Sequence, residues 1–177
     1  MPPILVVPIY FEGRHALLDS LGLRLRRTFG LEPRIRQPWF DPEIPFQPAR
    51  SQYNSTLLLA QLLRDREDEA ERVIGVTAVD LFIPVLTFVF GEAQLGGRAA
   101  VVSIHRLRSE AYGLPSDERL LAERLDKEAV HELGHTYGLV HCDVPDCVMR
   151  SSTYVEEIDF KSAEFCPTCL AEVRAAS

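Results

Sequence analysis

The chain has 177 residues, enough to bury the core of one domain, and 46% hydrophobic with 25% charged residues is the composition of an ordinary globular protein. Its 19 basic residues are outnumbered by 26 acidic ones, for a formal charge of −7. With no basic block to interrupt that balance, nucleic acid and anionic membrane surfaces are excluded as expected partners.

The opening run MPPILVVPIYF is apolar, yet too short to span a bilayer and without a basic leader or cleavage signal. A soluble cytoplasmic protein, and a monomer, is therefore expected. Ile4 to Phe11 reads as a buried strand bounded by Pro3 and Gly13. Leu17, Leu18, Leu21, Leu25 and Phe29 then recur at helical spacing and stop at Gly30. Strand followed by helix points to a βαβ start. Glu32 to Trp39 is expected to be a second strand. The segment PWFDPEIPFQP, with Pro38, Pro42, Pro45 and Pro48, must be loop. It is either a stiff surface connector or a wall of a cleft that offers Trp39, Phe40 and Phe46.

Asn54 or Ser55 can cap a helix through LLLAQLLRDREDEAE, that is, to Glu71. Val73 to Leu81 has the β-branched content of a central strand. Phe88–Leu95 and Arg98–Leu107 flank Gly96 and Gly97 and read as a hairpin. Pro115, Ser116, Asp117 and Glu118 make a helix start with acidic residues at the positive end of the dipole, so a long helix is expected from Ser116 to about Leu139. A final helix is expected from about Ala163 to Arg174. No repeat, low-complexity segment or domain boundary interrupts residues 1–177, which read as a single domain.

The stretch HELGHTYGLVH, His131 to His141, carries the chemistry. Residues four apart share a helix face, so His131 and His135 point the same way and can converge on one metal. Glu132 sits about 100° round the helix, in reach of a water on that metal. Gly138 can take a positive φ, end the helix and return His141 to the same point. Three neutral nitrogen ligands and an open fourth position are the arrangement of a catalytic zinc site. His15 and His105 have no partners at metal spacing and read as surface or capping residues. The four cysteines, Cys142, Cys147, Cys166 and Cys169, lie in the last quarter as C-x4-C and C-x2-C. In a reducing compartment that spacing is better explained by zinc than by two disulfides, although the spacing alone permits both.

The extended motif, Met149 eight residues after it, and the four cysteines together resemble the archaemetzincin family of the metzincin clan. The resemblance implies a zinc metallopeptidase with an α/β (α+β metzincin-like) fold: one compact domain, a mixed twisted sheet packed on helices, an active-site helix and a C-terminal helix stapled by zinc. It assigns His131, His135 and His141 to a catalytic zinc, Glu132 to the general base and acid, Met149 to the Met-turn, and Cys142, Cys147, Cys166 and Cys169 to a second, structural zinc. It also makes FVFGEAQ the edge strand above the cleft, where a peptide or protein substrate can pair its backbone. Tyr154 is a candidate donor to the oxyanion. The competing expectation is a zinc-containing peptide-binding module with little or no turnover; a hydrolase of non-peptide amides is a third.

Overall fold

The computed structural model describes residues 2–64 and 70–176. In chain order its elements are β1 (Ile4–Ile9), α1 (His15–Phe29), β2 (Pro33–Ile35), β3 (Phe46–Gln47), β4 (Gln52–Asn54) and α2 (Ser55–Leu63). They continue with β5 (Arg72–Thr77), β6 (Leu81–Phe82), β7 (Gly91–Ala93), β8 (Ala99–Ser103), a 3-10 turn at Ser109–Tyr112, α3 (Glu118–Thr136), α4 (Val155–Phe160) and α5 (Pro167–Ala175).

Five strands form one mixed sheet in the order β2-β1-β5-β8-β7, parallel throughout except for β7, which runs antiparallel at the edge. Strand alternation splits the side chains between two cores. Ile4, Val6, Ile74, Val76, Ala100 and Val102 face α1 and α3, joining Leu21, Leu25, Leu125 and Leu133. Leu5, Val7, Val73 and Val101 face the other way, against Leu58 and Leu62 of α2. Helices on both faces bury the three central strands β1, β5 and β8, save for partly exposed Pro8, which is why they read as mainly apolar runs rather than as alternating ones. A second, three-stranded sheet (β3-β4-β6) lies beside the first. Among the described residues no helix is long and apolar enough to cross a membrane.

The mixed sheet, the long helix and the terminal helix agree with expectation, and several boundaries do not. The second strand ends at Ile35 instead of Trp39; its last bond to β1 is Arg36 N–H to the Val6 carbonyl, and Pro38 has no N–H to extend the ladder. The proline segment is loop except for β3, which pairs with β4. Its Trp39 and Phe40 pack on the α2-side core. α2 is capped by Asn54, whose side chain accepts from Leu57 N–H at 3.1 Å, and ends at Leu63; part of the expected extension, residues 65–69, lies outside the described residues. The expected central strand breaks after Thr77, and Leu81 crosses into the second sheet. The hairpin arms are shorter than predicted, because Val89 bridges to Leu81 before β7 begins. Neither the 3-10 turn nor α4 was expected: each is too short for a helical period to show. α5 starts at Pro167, with Cys166 as its N-cap, four residues later than expected.

Candidate catalytic and structural metal centres

Asp117 caps α3, accepting from Leu120 N–H at 2.9 Å, and the helix carries His131, Glu132 and His135 along its buried C-terminal half. It stops at Thr136 rather than Leu139, because Gly138 adopts φ +90. That left-handed residue turns the chain, as its place in the motif requires, and brings His141 back to the other two rings. The three ring centroids stand 4.7, 5.3 and 5.1 Å apart, and their ligand nitrogens all lie within 4.8 Å of one another.

The hydrogen bonds behind the rings decide which nitrogens are free. His131 Nδ1 lies 2.8 Å from the Val148 carbonyl and His135 Nδ1 lies 2.7 Å from the Leu139 carbonyl. A carbonyl only accepts, so each Nδ1 carries the proton and each Nε2 is bare. The two Nε2 atoms nevertheless face each other at 3.1 Å. Two lone pairs held that close repel unless a cation lies between them. Nitrogen ligands of a tetrahedral zinc, at about 2.0–2.1 Å from the metal, stand about 3.3 Å apart. Burial, aided by the Lys161 ammonium, holds the His131 ring well below its ordinary pKa, so it is neutral and able to ligate. The donor set therefore fits zinc.

Glu132 is buried beside this trio. Desolvation and then the Glu128 carboxylate one turn earlier push its pKa well above the ordinary range. Its neighbour across the cleft is Gly91 of β7: a Cβ there would stand 2.6 Å from the Val101 carbonyl oxygen and 2.8 Å from Glu132 Oε1. The strand and the helix touch only because position 91 has no side chain. A similar fit holds the Met149 turn. Met149 is fully buried, and a Cβ on Gly134 would overlap its sulfur. These two glycines were not singled out from the sequence, although a glycine inside a helix is a signal of close packing.

Behind the histidines lies a buried ion pair that the sequence reading also missed. Lys161 Nζ meets Glu128 Oε1 at 2.9 Å, donates to the Arg150 carbonyl at 3.0 Å and lies 3.5 Å from His131 Nδ1. Arg124 grips both carboxylate oxygens of Asp159 at 2.7 Å and so ties α3 to α4, where Lys161 follows. Nothing in the sequence places Lys161, because its partner lies thirty-three positions away on another helix.

The four cysteines gather at a second point, with sulfurs within 4.8 Å of one another and no disulfide. Cys142 and Cys166 Sγ stand 3.9 Å apart, against about 3.8 Å for two thiolates on a tetrahedral zinc with bonds of about 2.3 Å. Cys166, at the head of α5, receives the backbone N–H of Cys169, which lowers its pKa to about 7 and favours a thiolate ligand. His15 and His105 belong to neither cluster.

The cleft in front of the histidines has a volume of about 660 Å3, with Phe88, Phe90, Leu95 and Val140 among its apolar walls. Ser151, Ser152 and Thr153 line it as well. Tyr154, two-thirds exposed, is not among the lining residues, and neither are the aromatic residues of the proline loop.

Residues 44–175 match the model of peptidase family M54. Over 161 residues the chain is 42% identical to archaemetzincin of Methanocaldococcus jannaschii, covering 89% of this chain and 86% of that one. The chain belongs to the archaemetzincin family. Among solved structures, archaemetzincin of Methanopyrus kandleri matches with a TM-score of 0.83 at 36% identity, over 99% of this chain and 95% of that one. A zinc-dependent peptidase of Methanocorpusculum labreanum gives 0.85 at 28% identity, over 96% and 99%. Family membership makes the protein a zinc metallopeptidase.

For this archaemetzincin-family chain, Gly91→Ala is an informative lesion far from the motif in sequence but in contact with it in the fold. The added methyl meets a carbonyl oxygen that cannot move without bending β8, so Glu132 or β7 must shift instead. The expected result is a loss of about 1–3 kcal/mol in stability and a fall in kcat/KM on the order of 10²-fold. Wild-type kinetics in Gly91→Ala would mean that the approach of Glu132 to the edge strand has no catalytic weight.

Proposed function

We propose that residues 1–177 form a single peptidase domain that acts as a monomer in the cytoplasm and binds two zinc ions per chain. His131, His135 and His141 hold the catalytic ion, and Cys142, Cys147, Cys166 and Cys169 hold the structural one. The observation that carries this reading is the facing of two unprotonated Nε2 atoms at 3.1 Å with both Nδ1 protons committed to carbonyls. A reducing compartment suits four free thiols gathered at one point. Four thiolates close the coordination shell and leave no place for substrate.

When bound at the histidines, zinc supplies a Lewis acid that lowers the pKa of water and polarises the scissile carbonyl. Glu132 takes the proton from the attacking water as the new C–O bond forms, and passes it to the amine nitrogen as the C–N bond breaks. Its burial and its raised proton affinity suit a carboxylate that must pick up that proton and give it away again. The Lys161–Glu128 pair keeps the second buried carboxylate occupied, so it does not compete for that role. Val148 and Leu139 carbonyls orient the two helix histidines. The apolar walls of the cleft exclude water around the reacting carbonyl.

Metal removal tests the reading. Dialysis against a chelator should abolish cleavage of a peptide library, and added zinc should restore it, with a metal content near two per chain before treatment. Two zincs without cleavage would favour the binding module instead.

A further inference from the structure

Resting on the peptidase reading above, we infer that Glu92 forms a substrate subsite that takes a lysine or arginine side chain of the bound peptide. The argument begins with the ladder parity of β7. Ser103 N–H donates to the Phe90 carbonyl at 2.8 Å and Gln94 N–H donates to the Ala99 carbonyl at 3.0 Å. Residues of even number between them turn their backbone groups to β8, so Gly91 and Ala93 turn theirs outward. Among the described residues no further strand follows β7 in this sheet. An extended peptide can therefore add to the edge at Gly91 and Ala93.

Side-chain parity then decides what such a peptide meets. Gly91 pairs with Val102 and faces α3 and Glu132. Glu92 pairs with Val101 and faces the opposite side, toward α2. There its carboxylate is gripped by the hydroxyls of Ser55 and of Thr56, the latter at 2.8 and 3.1 Å from its two oxygens. The group is partly exposed and lines the cleft. Among the described residues no cation pairs with Glu92, whereas Glu128 has Lys161 and Asp80 has Arg106. It is a carboxylate held in place by two hydroxyls at the head of α2, with no ion-pair partner among the described residues.

A peptide residue opposite Glu92 in an added strand places its Cβ about 4.5–5.5 Å from that of Glu92, on the same face. A lysine or arginine there brings its cation to the carboxylate, which has lone pairs to spare beyond two hydroxyl donors. Its aliphatic stem can cover Ile83 and Leu86, which line the same cleft. Acidic residues at that position are repelled.

The test compares N-acetylated peptides that carry lysine or acetyl-lysine at each position within two residues of the scissile bond; acetylation removes the terminal ammonium as a rival cation. For the wild type, lysine is expected to raise kcat/KM roughly three- to tenfold at one position. In Glu92→Gln, which keeps an acceptor for Ser55 and Thr56, the ratio should fall to about one. Equal rates for each wild-type pair, or a lysine preference that persists in Glu92→Gln, would overturn the subsite. The same pairs are titrated against Glu132→Gln protein by fluorescence polarisation. A Glu92-dependent lysine preference in binding without wild-type cleavage would uphold the subsite and sink the peptidase mechanism. Cleavage with no preference in either assay would do the reverse.

Discussion

Exchanging Glu132 for glutamine is expected to lower kcat/KM for peptide cleavage by roughly 10²–10⁴-fold, with zinc content and melting temperature close to wild type. Glutamine has nearly the same shape, so the tight approach of Gly91 to the side chain at position 132 survives. What disappears is the proton acceptor. No other free carboxylate replaces it from α3: Glu128, one turn away, is held by Lys161 at 2.9 Å. The motif histidines keep their carbonyl partners at Val148 and Leu139, so the metal site should be unaltered. Peptide turnover by Glu132→Gln within about threefold of wild type would show that the proton goes elsewhere.

Cys166→Ala is expected to act on both metals. Directly, it removes one of the four sulfurs proposed to hold the structural ion, and structural zinc contributes roughly 10–16 kcal/mol in small zinc domains, as much as a domain's whole stability. The second effect travels through the backbone. Cys166 N–H donates to Cys147 Sγ at 3.3 Å, and the next residue, Val148, supplies the carbonyl that orients His131. Cys142 follows His141 directly and donates its N–H to the Met149 carbonyl at 3.0 Å. Loosening this segment frees two of the three histidine ligands. The expected outcome is a lower melting temperature and an affinity for the histidine-bound zinc reduced by roughly 10–100-fold, the range seen when groups that orient metal ligands are lost. Competitive chelator titration of the remaining zinc measures it; unchanged affinity in Cys166→Ala would show that the two centres are independent.

Much of this fold is legible in the sequence alone. The helix over Leu17–Phe29 was visible because its apolar residues repeat with the helical period, and β1 because it is an unbroken apolar run between Pro3 and Gly13. The short pieces were not. Six residues of α4 hold less than two helical turns, and three residues of β7 show no alternation to speak of. Their placement depends on Arg124 gripping Asp159 and on the pairing of Gly91 with Val102. Tyr154 shows the limit in the other direction: it lies close in sequence to the Met149 turn, yet it is not among the residues lining the cleft.

By itself the sequence determined which side chains gather at the two candidate metal centres. Helical period and one glycine oblige His131, His135 and His141 to converge with Glu132 among them, and cysteine spacing brings Cys142 beside Cys147 and Cys166 beside Cys169. Only the tertiary structure decided what surrounds them: which nitrogens are bare, that Gly91 makes room for Glu132, that Lys161 neutralises Glu128, and that Ser55 and Thr56 hold Glu92 at the sheet edge. The reason is separation along the chain. Contacts within one helical turn are written in local periodicity, whereas contacts between residues thirty or more positions apart exist only once the sheet and α3 have packed.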